Sequence, residues 1–318
     1  MLDLLILNNR PELSPSSLKI YMSNLRLLDD KQHINDLQFL NDSEKIMKKI
    51  SGKKENTQKS YLNAVIVALT SVKNTDPALL KIYSSKRDKL QETYNNILAS
   101  HSKTASQEAN WVSFQEFSDM VKKIGESVEF LNKKKEWSDT DILKYQEYMI
   151  MLLYKNYPVR NDWAEMRVIT QREYKKLPKD SKENFIVVST NKQPMFKFIL
   201  NSYKTSAKYA QKVIEVEDSE LEKVIRKFLI HQKSQFFTIS PVLGPDDSKF
   251  RPLTSNELTK LFGSVSSRFL PGEQHLGSSL LRHIYLSSKY GDEVAEKAKD
   301  ASLMMHSLAM QDGYIKED

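Results

Sequence analysis

The sequence predicts a mainly α-helical chain with one small antiparallel β-sheet, an α+β protein in two domains. Three observations carry this expectation. Only 8 Gly and 10 Pro interrupt 318 residues, so helix breakers are sparse. Apolar residues recur at three- and four-residue spacing over long stretches. Short β-branched and aromatic runs between polar turns are confined to residues 185–216. Single cores rarely grow beyond ~250 residues, so this length suits two domains.

Residues 1–102 read as a helical bundle. Ser14-Pro15-Ser16-Ser17 supplies an N-cap and a first-turn proline, and Leu18, Tyr21, Leu25 and Leu28 follow on one face. Asn56-Thr57 opens a second helix with Tyr61, Leu62, Val65, Ile66 and Leu69 inward. Pro77 starts a third, with Leu80, Tyr83, Leu90, Tyr94 and Ile97 inward. The small, polar, aperiodic stretch 99–107 reads as a linker, and the break between domains falls at 103–110.

The second domain then spans 111–318. Ser113-Phe114-Gln115-Glu116 has the pattern of a capped helix start, and 139–154 is a strongly apolar helix ending before Pro158. Residues 185–190 (FIVVST), 195–200 (MFKFIL) and 212–216 (KVIEV) predict a three-stranded antiparallel sheet. From Ser219 the helical period returns and is expected to run to the C-terminus.

Composition narrows the chemistry. Forty-eight Lys and Arg against 41 Asp and Glu leave +7, shared as 16 basic and 12 acidic residues up to position 110 and 32 and 29 after it. Both halves therefore suit a polyanionic partner. With no cysteine, disulfide scaffolds, thiol nucleophiles and cysteine-ligated zinc are excluded, and a reducing compartment fits. The opening MLDLLILNN carries Asp3 and no basic n-region, and its apolar run falls short of the ~20 residues of a membrane span. A soluble intracellular protein of cytoplasm or nucleus, with no membrane partner, is expected. Glycine-rich phosphate loops, His-Glu-x-x-His and Gly-x-Ser-x-Gly patterns do not occur, so no cofactor and no metal are expected.

What remains is side chains that handle a phosphodiester unaided. Such a bond needs cationic donors on its non-bridging oxygens, a nucleophile, and an acid for the leaving oxygen. Each candidate has a plain reading when taken alone. Arg160, in Tyr157-Pro158-Val159-Arg160-Asn161-Asp162-Trp163, reads as a residue snorkelling at a helix start and pairing with Asp162. Lys204, in Ser202-Tyr203-Lys204-Thr205-Ser206, reads as a solvated turn residue. His306 reads as a core histidine on a Met-rich stretch, and Tyr314 as an anchor near the end. Arg282 stands apart, because Ser279-Leu280-Leu281-Arg282-His283-Ile284-Tyr285 sets it among apolar neighbours where an unpaired arginine is costly.

Order and context change that reading. Arg160 after a helix, Lys204 in a hairpin turn, Leu280-Leu281-Arg282-His283, Met304-Met305-His306 and Gln311-Asp312-Gly313-Tyr314 together resemble the catalytic domain of tyrosine recombinases, the lambda-integrase-like family. The resemblance runs in order from about residue 110 to 318, and the N-terminal helices look like the family's DNA core-binding domain. Residues 201–209 (NSYKTSAKY) are similar to the hairpin of integrase-like proteins from large DNA viruses and mobile elements. The resemblance implies that Arg160 and Arg282 hold the scissile phosphate and that Lys204 protonates the departing 5′ oxygen. It further implies that His306 hydrogen-bonds the phosphate and Tyr314 attacks to give a 3′-phosphotyrosyl link.

Three features depart from the family pattern. Ser279 stands where the family has a histidine three residues before its second arginine, and a serine hydrogen-bonds but does not titrate near neutrality. His306 to Tyr314 is one residue tighter than usual, and only 315–318 follow Tyr314, too few for the helix many relatives lend to a neighbouring subunit. Self-association on DNA, as a dimer or tetramer, is therefore expected to use another surface. Lys208 is the rival hairpin lysine. The expected function is site-specific recombination or integration on double-stranded DNA, with the two domains gripping opposite faces of the duplex. A type IB topoisomerase-like relaxase and a DNA-binding protein that has lost catalysis are the alternatives.

Overall fold

The computed structural model describes residues 2–30, 33, 34, 36–178, 180–190, 194–242 and 250–303, with backbone alone at 273, 298 and 301–303. The chain divides into two compact units, Met1–Lys103 and Thr104–Asp318. It is mainly helical, with a small four-stranded mixed sheet and a two-stranded sheet.

The first unit holds α1 (Leu2–Asn9), α2 (Pro15–Asp29), α3 (Ser43–Ser51), α4 (Glu55–Thr70) and α5 (Pro77–Ala99). Ser14 caps α2 as its pattern predicts, its hydroxyl accepting from the Ser17 N–H at 3.2 Å. At the centre lies α4, where 62 and 64–69 are all buried; a helix apolar on nearly every side is the one its neighbours surround. Tyr83 of α5 is fully buried and donates its hydroxyl to the Leu40 carbonyl at 2.7 Å. Burial pushes its phenol up to about 12. Three sequence expectations need correction. The α4 helix begins at Glu55, after Lys54 and without a side-chain cap. Ile97 is exposed, whereas Leu80, Tyr83 and Leu90 do face the core, joined by Leu79. The α1 and α3 helices escaped notice, α1 because LDLLILNN is too evenly apolar to show a face.

The second unit starts with α6 (Ala105–Asn110), inside the stretch expected to be linker: Thr104 and Gln107 form a capping box. Then follow α7 (Phe114–Val128) and α8 (Asp139–Asn156), opened by capping boxes at Ser113–Glu116 and Ser138–Asp141. All of 148–154 is buried in α8, which packs against α7 and the later helix α11 (Ser219–Gln232). Between α8 and α11 lie β1 (Arg167–Thr170), α9 (Gln171–Tyr174), β2 (Phe185–Val188), β3 (Phe196–Leu200), α10 (Ser206–Tyr209) and β4 (Lys212–Glu215). The order is β1-β2-β3-β4, with β2-β3 and β3-β4 antiparallel but β1-β2 parallel, so the sheet is mixed and has a strand the sequence reading lacked. Hairpin patterns report local antiparallel pairing; a parallel partner reached through α9 leaves no such local sign.

Both sheet faces are covered. Ile169, Phe185, Val187 and Ile199 form one small cluster with Tyr174 and Leu177, whereas Ile186, Phe196, Phe198 and Leu200 join the main core. After α11 the expectation of helix to the C-terminus also fails: β5 (Ile239–Pro241) pairs with β6 (Phe250–Pro252) before α12 (Ser255–Phe269) and α13 (Ser278–Leu303). Each of these strands ends in a proline, a residue tolerated at such edges but a weak strand signal. Fully buried Gln146 of α8 ties β5 to the core, accepting from the Ile239 N–H at 2.6 Å and donating to its carbonyl at 2.9 Å.

Candidate functional site

The α8 helix ends at Asn156, and the chain turns through Tyr157-Pro158-Val159 into a 3-10 turn, Asn161–Trp163, preceded by Arg160. Two aromatic residues hold this turn. Tyr154, fully buried at the end of α8, donates its hydroxyl toward the Arg160 carbonyl (3.1 Å) and Asn161 Oδ1 (3.2 Å). Trp163 is fully buried with its ring centroid 4.7 Å from that of Phe198, and its carbonyl accepts from Thr238 Oγ1 at 3.1 Å. The Arg160 side chain is left exposed on the turn.

Arg282 approaches from α13. Its neighbours Leu281 and Ile284 are buried in the core, so the helical period leaves Arg282 half-buried rather than free in solvent. Its Nη1 donates to the Val159 carbonyl at 3.3 Å, the residue immediately before Arg160. Two arginines far apart in sequence thus meet at one turn. Burial, and after it the neighbouring Arg160 charge, lowers the Arg282 guanidinium below its ordinary value. Burial raises the half-buried Asp162 carboxyl, with Arg160 and Arg282 pulling the other way. Even so, no ion pair within 4.0 Å joins Asp162 to either arginine among the described residues, so the simple Arg160–Asp162 pairing does not form. Arg87, Arg167, Arg226, Arg251 and Arg268 each do pair with a carboxylate.

Ser279 is exposed on the first turn of α13, and its hydroxyl takes no partner among the described residues. The neighbouring Ser278 does: its hydroxyl donates to Asn161 Oδ1 at 2.8 Å. Asn161 Nδ2 donates in turn to Thr259 Oγ1 (2.6 Å) and the Ser255 carbonyl (3.1 Å), so one amide connects α8, α12 and α13. Neither Asn161 nor Ser278 was singled out from sequence. Their only signal is adjacency to Arg160 and Ser279.

Lys204 lies in the β3–β4 connection, exposed, between Tyr203 and the short helix α10. Its loop is tied at the base by Asn184, which bonds the backbone of Asn201, Ser202 and Asp162. Lys208 Nζ instead lies 5.0 Å from the Tyr209 ring centroid. His306 and Tyr314 lie outside the described residues. Among the described residues no group of three or more His, Cys, Asp or Glu could hold a metal ion, and no helix is long and apolar enough to cross a membrane. No family model matches the chain, and no curated protein matches it.

Proposed function

We propose that this chain cuts and rejoins double-stranded DNA through a covalent tyrosine intermediate, as tyrosine recombinases do. The observation that carries the reading is the Arg160–Arg282 pair, two guanidinium groups held at one turn without a carboxylate ion pair among the described residues. Each guanidinium feels the other's charge, only partly offset by Asp162, and the planar forks match the non-bridging oxygens of a phosphodiester. The net charge of +7 supports a polyanionic partner.

In this mechanism Arg160 and Arg282 hold the phosphate and stabilise charge as it develops. Ser279 and His306 add hydrogen bonds. Tyr314 Oη gives up its proton to solvent and attacks phosphorus, the bond to the 5′ oxygen breaks, and Lys204 gives that oxygen its proton. The 5′ hydroxyl of a second strand reverses these steps and releases Tyr314, so no cofactor is consumed. Two such exchanges on paired duplexes call for self-association on DNA, and a virus or mobile element is a natural setting for such an enzyme.

A nicked suicide duplex tests this, because loss of the short 5′ fragment traps the protein on DNA. Wild type is expected to become covalently attached through a 3′ phosphate on the peptide holding Gly313 and Tyr314, and Tyr314→Phe to bind the duplex without attaching. Attachment by Tyr314→Phe, or none by wild type on any nicked duplex, overturns the reading. Ser279 in place of the family's histidine, with the tight spacing from His306 to Tyr314, favours a second reading, a DNA-binding protein without catalysis, which predicts binding and no adduct.

A further inference from the structure

Asn161 and Asn184 share an unusual economy. An asparagine amide can accept two hydrogen bonds and donate two. Asn184, the residue before β2, makes all four: Oδ1 accepts from the N–H groups of Asn201 and Ser202, both at 2.9 Å, and Nδ2 donates to the carbonyls of Ser202 (2.9 Å) and Asp162 (3.5 Å). Asn161 also makes four, with Tyr154, Ser278, Ser255 and Thr259. Neither aspartate, which lacks the donors, nor an apolar residue reproduces either set.

The bonds fall in two directions from one turn. Asn161 lies next to Arg160 and grips Ser278, one helical turn before Arg282. Asn184 grips Asp162, two residues after Arg160, and Ser202, two residues before Lys204. The lysine loop is closed further at its base, where Asn201 Nδ2 donates to the Glu183 carbonyl and Gln211 Nε2 to Asn201 Oδ1, both at 2.7 Å. Tyr203 donates its hydroxyl to the Ala210 carbonyl, also at 2.7 Å, leaving Lys204 projecting from a braced loop.

We infer that Asn161 and Asn184 are positioning residues with separate tasks: Asn161 fixes the arginine pair, and Asn184 registers the Lys204 loop to it. The inference rests on the recombinase reading above. It makes the two asparagines distinguishable by the step each supports. Losing Asn161 disturbs phosphate holding, whereas losing Asn184 disturbs delivery of a proton to the leaving oxygen.

Single-turnover attachment to nicked duplexes separates these, using one substrate with the ordinary 5′-bridging oxygen and one with 5′-bridging sulfur, which leaves without a proton. Misplacing a reacting group by about 1 Å costs on the order of 10²-fold. Asn184→Ala is expected to slow the oxygen substrate by about that factor and to recover most of the loss with sulfur, as Lys204→Ala does. Asn161→Ala is expected to slow both substrates alike, as Arg282→Ala does, and to add little to the loss in an Asn161→Ala/Arg282→Ala double variant; fully additive losses overturn its role in fixing the arginine pair. A variant that is merely destabilised slows both, so selective rescue is the sign of positioning. If Asn184→Ala fails to fold, Asn184→Asp, which keeps the acceptors and loses the donors, is read by the same ratio. Faster amide exchange at Asn201 and Ser202 in the Asn184 variant, with no such change in Asn161→Ala, is the accompanying structural result. Should Lys204→Ala be rescued by sulfur while Asn184→Ala is not, the positioning inference falls and the recombinase reading stands. Should wild type attach to neither substrate, the reading falls first and the inference with it.

Discussion

Asn161→Ala deletes an amide that joins three helices, and its cost can be worked from the bonds it makes. Each hydrogen bond contributes a net ~0.5–1.5 kcal/mol. Tyr154 keeps the Arg160 carbonyl as an acceptor, and Thr259 Oγ1 keeps the Ser255 carbonyl at 3.0 Å, so those losses fall at the lower end. The Ser278 hydroxyl, part-buried, loses its 2.8 Å acceptor and keeps Tyr154 as a side-chain partner, so its loss falls in the middle of the range. Together the four bonds give about 3 kcal/mol. For a unit of this size each kcal/mol lowers Tm by roughly 2–4 °C, so the second unit should melt about 6–12 °C lower. Differential scanning calorimetry of the full chain reads this directly. Asn161→Asp, which keeps the acceptor oxygen for Tyr154 and Ser278, is expected to lose about half as much. Asn24→Ala in the first unit, which removes a single bond to Ser60 Oγ at 3.0 Å, should cost ~1 kcal/mol or less. An Asn161→Ala shift below ~1 °C, or a free-energy loss no larger than that of Asn24→Ala, refutes the hub.

Three further outcomes follow. Gln146→Leu strands the buried N–H and carbonyl of Ile239, and with ~1–3 kcal/mol for each unsatisfied group it should cost about 2–6 kcal/mol in urea unfolding; a loss under ~1 kcal/mol contradicts this. Hydrogen bonds from Lys134, and then from Ser138, hold the Asp141 carboxyl at about 2 against an ordinary 3.8. Its folded value is the lower one, so its contribution is full above pH ~4 and is lost as pH falls toward ~2. Asp141→Asn should therefore flatten the acid-unfolding profile in that window, and an unchanged profile by circular dichroism rules the contribution out. Arg160→Ala and Arg282→Ala should each cut strand attachment by ~10²-fold or more while EDTA leaves wild type unaffected; a cleavage step that needs magnesium contradicts the arginine mechanism.

The helices were legible where caps and one apolar stripe coincide. Ser14, Ser113 and the run from Asp139 each mark an observed start. The three β-branched runs lie at β2, β3 and β4; in β2 and β3 alternate residues serve two covered faces, whereas β4 is an exposed edge strand with only Ile214 turned to the core. β1 was not legible: its four residues run straight into the capping box at Thr170, and its partner is parallel. At the site, Arg282 stood out because arginine among leucines must either pair or face a cleft, and it emerges half-buried beside Arg160. Asn161 and Asn184 were invisible, since an asparagine in a polar turn looks the same whether its amide meets water or four protein groups. Only the meeting of distant segments distinguishes the two cases.

The connection from Val159 to Arg282 has a temporal consequence. One partner is made before the mixed sheet and the other after it, on the helix α13 that follows α12. During synthesis, Arg160 and the Lys204 loop emerge from the ribosome while Arg282 is still unmade, and the unit that holds all three folds as a unit. The arginine pair therefore comes into being only when α13 docks and Ser278 finds Asn161. A nascent chain that ends before α13 lacks Arg282, and with it the proposed paired grip on a phosphate. Chemistry of the proposed kind is thereby withheld from growing polypeptides and becomes available as a late event of maturation, set by the order in which the ribosome delivers the segments.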